Sequence, residues 1–199
     1  MDDEDYKAWF ITQFRLARVA GLHIDLEEHF IYDPGNNSRC AKGLISRVNS
    51  LSQILRSRRI NNYWAAGGFN NQLAPYSEFK ASKRPGFSAL HPDLDVPDDD
   101  LVATNTMGNI FSNSKFVRHL KKVNHRTLIM TGVFHDACFL SSVKGAVEKE
   151  FNVLACTDAT DCLPDNQQEF RRSLKTGLTS SQRERLHVTS TDFVLKLIR

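Results

Sequence analysis

The chain has 199 residues, 41% of them hydrophobic and 25% charged. That is the make-up of a folded protein with length enough for a sizeable core, and it excludes disorder throughout. The 26 basic and 23 acidic side chains leave a net charge of +3 and are well mixed, which argues against a nucleic-acid partner. No apolar run approaches a membrane span, so no membrane partner is expected either.

The opening MDDEDYKAWF is acidic and lacks the basic and apolar regions of a signal peptide. Cys40, Cys138, Cys156 and Cys162 make no CxxC pair and no metal-ligand spacing. A reducing, cytoplasmic setting with free thiols is the expectation.

In chain order, Trp9, Phe10, Phe14 and Leu16 predict a short helix over residues 5–16. An apolar run from Val19 ends in Asp25, which either caps a turn or presents an acid at the carboxyl edge of a sheet. Asp33-Pro34-Gly35-Asn36-Asn37 is a loop, with Ser38 as a helix cap. Leu44, Ile45, Val48, Leu51, Ile54 and Leu55 then recur at steps of three and four, giving a long amphipathic helix. Its basic end at Arg56, Arg58 and Arg59 offsets the helix dipole. Residues 60–66 form a second predicted strand.

Residues 67–98 are the least regular part, punctuated by Gly67-Gly68, Asn70-Asn71, Pro75, Pro85-Gly86, Pro92 and Pro97. A loop of that length either walls a pocket or packs on itself, and Phe69, Tyr76, Phe79 and Phe87 serve both readings. A third strand at 101–104 follows, then a helix capped by Ser114 and carrying Phe116, Val117, Leu120 and Val123.

The stretch 126–146 has the pattern of a buried strand, a tight turn at Thr131-Gly132 and a helix whose first turn carries Cys138. Backbone N–H groups and the helix dipole favour negative charge there, so Cys138 is a candidate thiolate nucleophile. Taken alone, it also fits a buried apolar thiol. A fifth strand at 151–156, a helix at 167–174, a sixth strand at 186–189 and a helix from about Thr191 complete the chain. Strands alternating with helices at this spacing predict a three-layer α/β/α, Rossmann-like fold with a six-stranded, mostly parallel sheet in one domain, 1–199.

This order of elements, with Asp25 and Cys138, resembles the isochorismatase-like hydrolases, which include nicotinamidases and N-carbamoylsarcosine amidohydrolases. The resemblance spans about 22–161. It rests on Leu22-His23-Ile24-Asp25-Leu26-Glu27-Glu28-His29-Phe30, on Gly132-Val133-Phe134-His135-Asp136-Ala137-Cys138-Phe139, and on the downstream FNVLACTDATD. It implies Asp25 as catalytic acid, Glu27 in place of the family's usual Gln, Cys138 as nucleophile, and a cis peptide between Val133 and Phe134. Phe30, Phe111, Phe134 and His135 are carried over as substrate or oxyanion neighbours. His135 either supplies a proton-transfer group or a positive charge, or is a turn histidine facing solvent.

The second family signature departs. Phe111, Ser114, Phe116 and Leu120 match its pattern, but the position of the catalytic lysine, six residues before Phe111, is Asn105. Without that cation, Asp25 and a Cys138 thiolate are like charges in one cleft, which should raise the thiol pKa. Loss of Lys with retention of Cys makes isochorismate a poor substrate. The resemblance implies no cofactor, and no Asp or His lies between Asn61 and Leu90, where the nicotinamidase branch holds a metal, so no metal is expected. Two functions stay open: a Cys138/Asp25 hydrolase of a small amide-type C–N bond, and a catalytically impaired relative that binds a small molecule or a protein. The resemblance also implies a homo-oligomer.

Overall fold

Strand β1 (Val19–Ile24) is buried along its whole length. Ala20, Leu22 and Ile24 enter one apolar cluster and Val19 enters another on the opposite face. A strand apolar on both faces needs cover on both, which is the condition of a parallel sheet flanked by helices. The computed structural model describes residues 18–31, 38–68, 70–81, 89–106, 108–161 and 166–198, and only the backbone of 38–42. The helix expected at 5–16, the loop at 33–37, the cap at Ser38, the side chain of Cys40, and Phe69, Pro85, Gly86, Phe87 and Cys162 lie outside the described residues.

β2 (Asn62–Gly67), β3 (Leu73–Pro75), β4 (Leu101–Asn105), β5 (Thr127–Gly132), β6 (Asn152–Cys156) and β7 (Leu186–Thr189) join β1 in one sheet of order β3-β4-β2-β1-β5-β6-β7. Among the described residues the sheet therefore has seven strands rather than six. The additional strand, β3, pairs antiparallel with β4 at the edge, where its three residues include Pro75 and no alternating pattern announces it. Every other pairing is parallel.

Helices Ser114–Lys122, Cys138–Glu148 and Gln167–Lys175 cover one face through Phe116, Leu120, Phe139, Val143, Phe170 and Leu174. The long helix Ser38–Ser57 and Thr191–Ile198 cover the other through Leu44, Val48, Leu51, Leu55, Val194 and Ile198. Each fully buried aliphatic side chain contributes roughly 1.5–3 kcal/mol to holding these layers together. Within the irregular stretch, Tyr76–Ala81 is helical and stacks Tyr76 on Phe79, so these two aromatics pack on each other. The helix expected to be capped by Ser114 is capped instead by Asn113, whose side chain accepts from Lys115 N–H and Phe116 N–H. Asn places its oxygen one residue earlier and does the same work as Ser.

His23 is fully buried in β1 and ties three strands together. Nδ1 lies 2.8 Å from Thr131 Oγ1 on β5, and Nε2 lies 3.1 Å from Asn62 Oδ1 on β2. Burial pushes its pKa down to about 4, so the ring is neutral at physiological pH. No helix of the described residues is long and apolar enough to cross a membrane.

Candidate active site

The chain leaves β1 toward β2 and β4 on one side of the sheet, then returns to β5, β6 and β7 on the other. The reversal lies between β1 and β5, and a crevice outside the carboxyl ends of the strands is expected at such a point. Asp25 follows β1 directly, with φ +48°, a left-handed conformation that Asp tolerates better than most residues. Its N–H donates to Ala65 O on β2 at 3.0 Å.

Across the reversal, Gly132 ends β5 with φ +126°. A Cβ there would lie 2.1 Å from Ile24 O, so only glycine lets β5 run this close to β1. The Val133–Phe134 peptide is cis. Val133 N–H donates to Ile24 O, and Phe134 O accepts from Ala137 N–H and Phe139 N–H, which starts the helix at Cys138. Its N-cap residue, Ala137, offers that helix N-terminus no side-chain hydrogen bond.

Asp25 and Cys138 line one cleft, close enough for each to shift the other's titration. Burial pushes the Asp25 carboxyl up to about 6, against a smaller opposing effect of the thiol hydrogen bond. Burial also pushes the Cys138 thiol up to about 12, reinforced by the charge of Asp25, its hydrogen bond and the charge of Glu27, and opposed by a backbone hydrogen bond at Phe134. Like charge was the expected cause of a raised thiol; desolvation comes first. The helix N-terminus does not hold a resting thiolate here.

The two groups sit in a cleft of about 350 Å³ lined by Asp25, Glu27, His29, Phe30, Gly67, Gly68, Asn105, Thr106, Gly108 and Cys138. Asn105 enters from the end of β4, opposite Gly67 of β2. Glu27 is 1% exposed, accepts a hydrogen bond from Gly67 N–H, and lies 3.7 Å from His29 Nδ1. Gly108, φ +69°, keeps the wall beside the thiol open: a Cβ there would stand 3.2 Å from Cys138 Sγ.

Of the seven residues singled out in the sequence, Asp25, Asn105, Cys138 and Phe30 line this cleft. Phe134 stands behind it, its ring edge-on to Phe30 at 5.3 Å. His135 is turned aside: its N–H and Nδ1 both engage Asp161, at 2.7 and 3.2 Å, and its ring rests edge-on to Phe170. It is therefore neither a solvent-facing turn histidine nor a lining group. Phe111 belongs to the core, packed against Phe116 and Phe151, because the turn Ile110–Ser112 rotates it under the sheet-covering helices.

The lining residues not carried as site residues are Glu27, His29, Gly67, Gly68, Thr106 and Gly108. Their common signal is position: each lies at or just past the carboxyl end of β1, β2 or β4, the edge where parallel sheets bind ligands. Among the described residues no cluster of three or more His, Cys, Asp or Glu side chains could hold a metal ion.

A sequence model of the isochorismatase domain matches residues 19–179. No curated protein matches the chain significantly. Among solved structures, it is similar to an isochorismatase family protein from Burkholderia thailandensis, at 18% identity over 92% of this chain and 96% of that one, with a TM-score of 0.71. It is similar to N-carbamoylsarcosine amidase from Thermoplasma acidophilum, at 15% identity over 88% and 97%, TM-score 0.66. It is also similar to a nicotinamidase from Bacillus subtilis, at 16% over 87% and 99%, TM-score 0.62. At these identities the likeness to each structure is one of fold.

Proposed function

The chain belongs to the isochorismatase domain family, and on that premise we propose that it hydrolyses a small amide-type C–N bond with Cys138 as nucleophile and Asp25 as acid/base. The observation that supports this reading is that the Asp25 carboxyl and the Cys138 thiol line one cleft and perturb each other's titration. Two fold relatives named as an amidase and a nicotinamidase support the choice of bond.

The chemistry balances as follows. The resting thiol is neutral, so its proton passes to ionised Asp25 as Sγ attacks the carbonyl carbon. The oxyanion of the tetrahedral intermediate meets the N–H groups of the uncapped helix start at Cys138. The C–N bond breaks, Asp25 returns the proton to the leaving nitrogen, and a thioester remains on Cys138. Water, deprotonated by Asp25, then attacks the thioester, releasing the carboxylic acid and restoring the thiol. Asn105 contributes amide donors at the position of the family's lysine, but no charge.

The test is ammonia release from a panel of small primary amides and ureas, with intact-mass detection of an acyl adduct. The expected result is turnover that falls at least about 100-fold in Cys138→Ala and in Asp25→Asn, with the adduct lost in Cys138→Ala. A second reading, an impaired relative that only binds a small molecule, is favoured by the thiol at about 12 and by the lack of Lys or Arg among the described lining residues. Binding of a panel member with neither turnover nor adduct would establish it and overturn the first.

A further inference from the structure

The turn that leads from β5 into the helix at Cys138 is held at its start by Val133 N–H, which donates to Ile24 O. Farther along, Asp136 and Ala137 are exposed, and Ala137 N–H and Phe139 N–H both return to Phe134 O, inside the turn itself. Between them stands His135, which reaches out to the next strand. Its backbone N–H donates to Asp161 Oδ1 at 2.7 Å, and its Nδ1 lies 3.2 Å from Asp161 Oδ2. Two hydrogen bonds to one carboxylate fix orientation as well as distance. Asp161 is a firm anchor, with 9% of its side chain exposed. It follows the turn Thr157–Ala159 after β6, where Thr160 Oγ1 donates to Thr157 O and Asp158 accepts from both the N–H and the hydroxyl of Thr191. The ring of His135 gives a second route to the same place: it lies edge-on to Phe170, which packs against Phe139, the buried neighbour of Cys138.

We propose that Asp161 is a positioning residue for Cys138: by holding His135 from beyond β6, it fixes the turn that sets the thiol at the cleft wall. The effect on rate rests on the hydrolase reading, whereas the hold itself does not. Asp161 acts here through geometry, since the charges that shift the Cys138 thiol are those of Asp25 and Glu27. Displacing a reacting group by about 1 Å costs on the order of 100-fold in rate, so a loosened turn lowers kcat and leaves KM nearly alone.

Two variants isolate the hold. Asp161→Ala removes both acceptors, while Asp161→Asn keeps an oxygen for the backbone N–H and offers an amide N–H to Nδ1, which accepts in its other tautomer. Amide hydrogen exchange reads the result without turnover, at Ala137 and Phe139, whose N–H groups bond to Phe134 O and not to Asp161. In Asp161→Ala these two amides should exchange at least about tenfold faster while those of β5 stay unchanged, and Asp161→Asn should restore slow exchange. No change at the two amides, or a rise that spreads through β5, overturns the proposal. If Asp161→Ala does not fold, His135→Ala, which keeps the backbone bond and removes the ring, is read at the same two amides with the same outcomes. Ammonia release separates the hold from the hydrolase. On an amide that the unsubstituted chain turns over, Asp161→Ala should lower kcat at least about tenfold with KM within about twofold, and Asp161→Asn should recover most of that loss. An unchanged kcat, or an equal loss in Asp161→Asn, overturns the positioning role and leaves the hydrolase standing. The expected exchange, with no ammonia released from any amide by the unsubstituted chain, overturns the hydrolase and leaves the hold standing.

Discussion

The Cys138 thiol and the Asp25 carboxyl line one cleft, although one enters from the helix after β5 and the other from the end of β1. Burial holds that carboxyl at about 6, and the thiol and a second carboxylate, Glu27, line the same cleft. A base must be ionised to accept the thiol proton, so kcat/KM for amide hydrolysis should be level above pH 7. Below about 6 it should fall roughly tenfold per pH unit. A pH–rate profile checks this, and a profile without the acid limb would remove Asp25 from the role of base.

Asn105 stands at the end of β4 and lines the same cleft as Asp25 and Cys138. Asn105→Lys places a positive charge beside Cys138 and Asp25, and an opposite charge at this range lowers a thiol pKa. Alkylation of Cys138 by iodoacetamide at pH 7.5 should speed up by about tenfold or more, which corresponds to one pKa unit or more. The rate is read by intact mass against time; an unchanged rate would mean that position 105 does not face the thiol.

Asp25 also has a cost to the fold. Its carboxyl titrates at about 6 in the folded chain against 3.8 when free, so burial favours the protonated form. That advantage is whole below pH 3.8 and is lost as pH rises through 6, leaving a penalty of about 3 kcal/mol at neutral pH. Asp25→Asn should therefore gain stability at pH 7.5, by up to about that amount, and gain nothing at pH 3.5. Urea unfolding at the two pH values measures the difference.

His23 acts with the opposite sign. Its folded pKa of about 4 lies below the ordinary 6.5, so its contribution is whole above pH 6.5 and is lost as pH falls through 4. His23→Gln, which keeps a polar group between Thr131 and Asn62 but cannot titrate, should lower stability at pH 7 and flatten its decline between pH 6.5 and 4. An unaltered slope in urea midpoints across that range would rule out His23 as its source.

Gly132 decides whether β5 can run this close to β1. Ala at this position combines φ +126° with a Cβ about 2 Å from Ile24 O, and backbone on both sides leaves nothing flexible to yield. Gly132→Ala should cost more than about 3 kcal/mol, at the severe end for single substitutions. Thermal unfolding followed by circular dichroism tests it, with the open Gly177→Ala, where a Cβ meets nothing within 4 Å but φ is +80°, as the comparison for backbone strain alone.

Much of this molecule is written locally. The apolar runs at β1, β2, β4, β5, β6 and β7, and the step of three and four from Leu44 to Leu55, are legible because a strand or helix buried in a layered fold must show its period in the sequence. Asp25 and Cys138 are legible for the same reason: one directly follows a recognisable strand and the other opens a recognisable helix, both at the carboxyl edge. β3 carries no period over three residues, and Asn113 and Ser114 are equivalent as caps until geometry chooses between them. The roles of Phe111 and His135 depended on rotation about a turn and on a distant partner, Asp161, neither of which neighbouring residues encode.

What the sequence by itself determined is the order of the layers and the arrival of a carboxyl and a thiol at one edge of the sheet, since these follow from short-range pattern. What only the tertiary structure decided is their chemical state. Desolvation and charge act through space, and the depth to which Asp25, Glu27 and Cys138 are buried together, with one oxygen of Asp25 left unpartnered among the described residues, is a property of the packed whole.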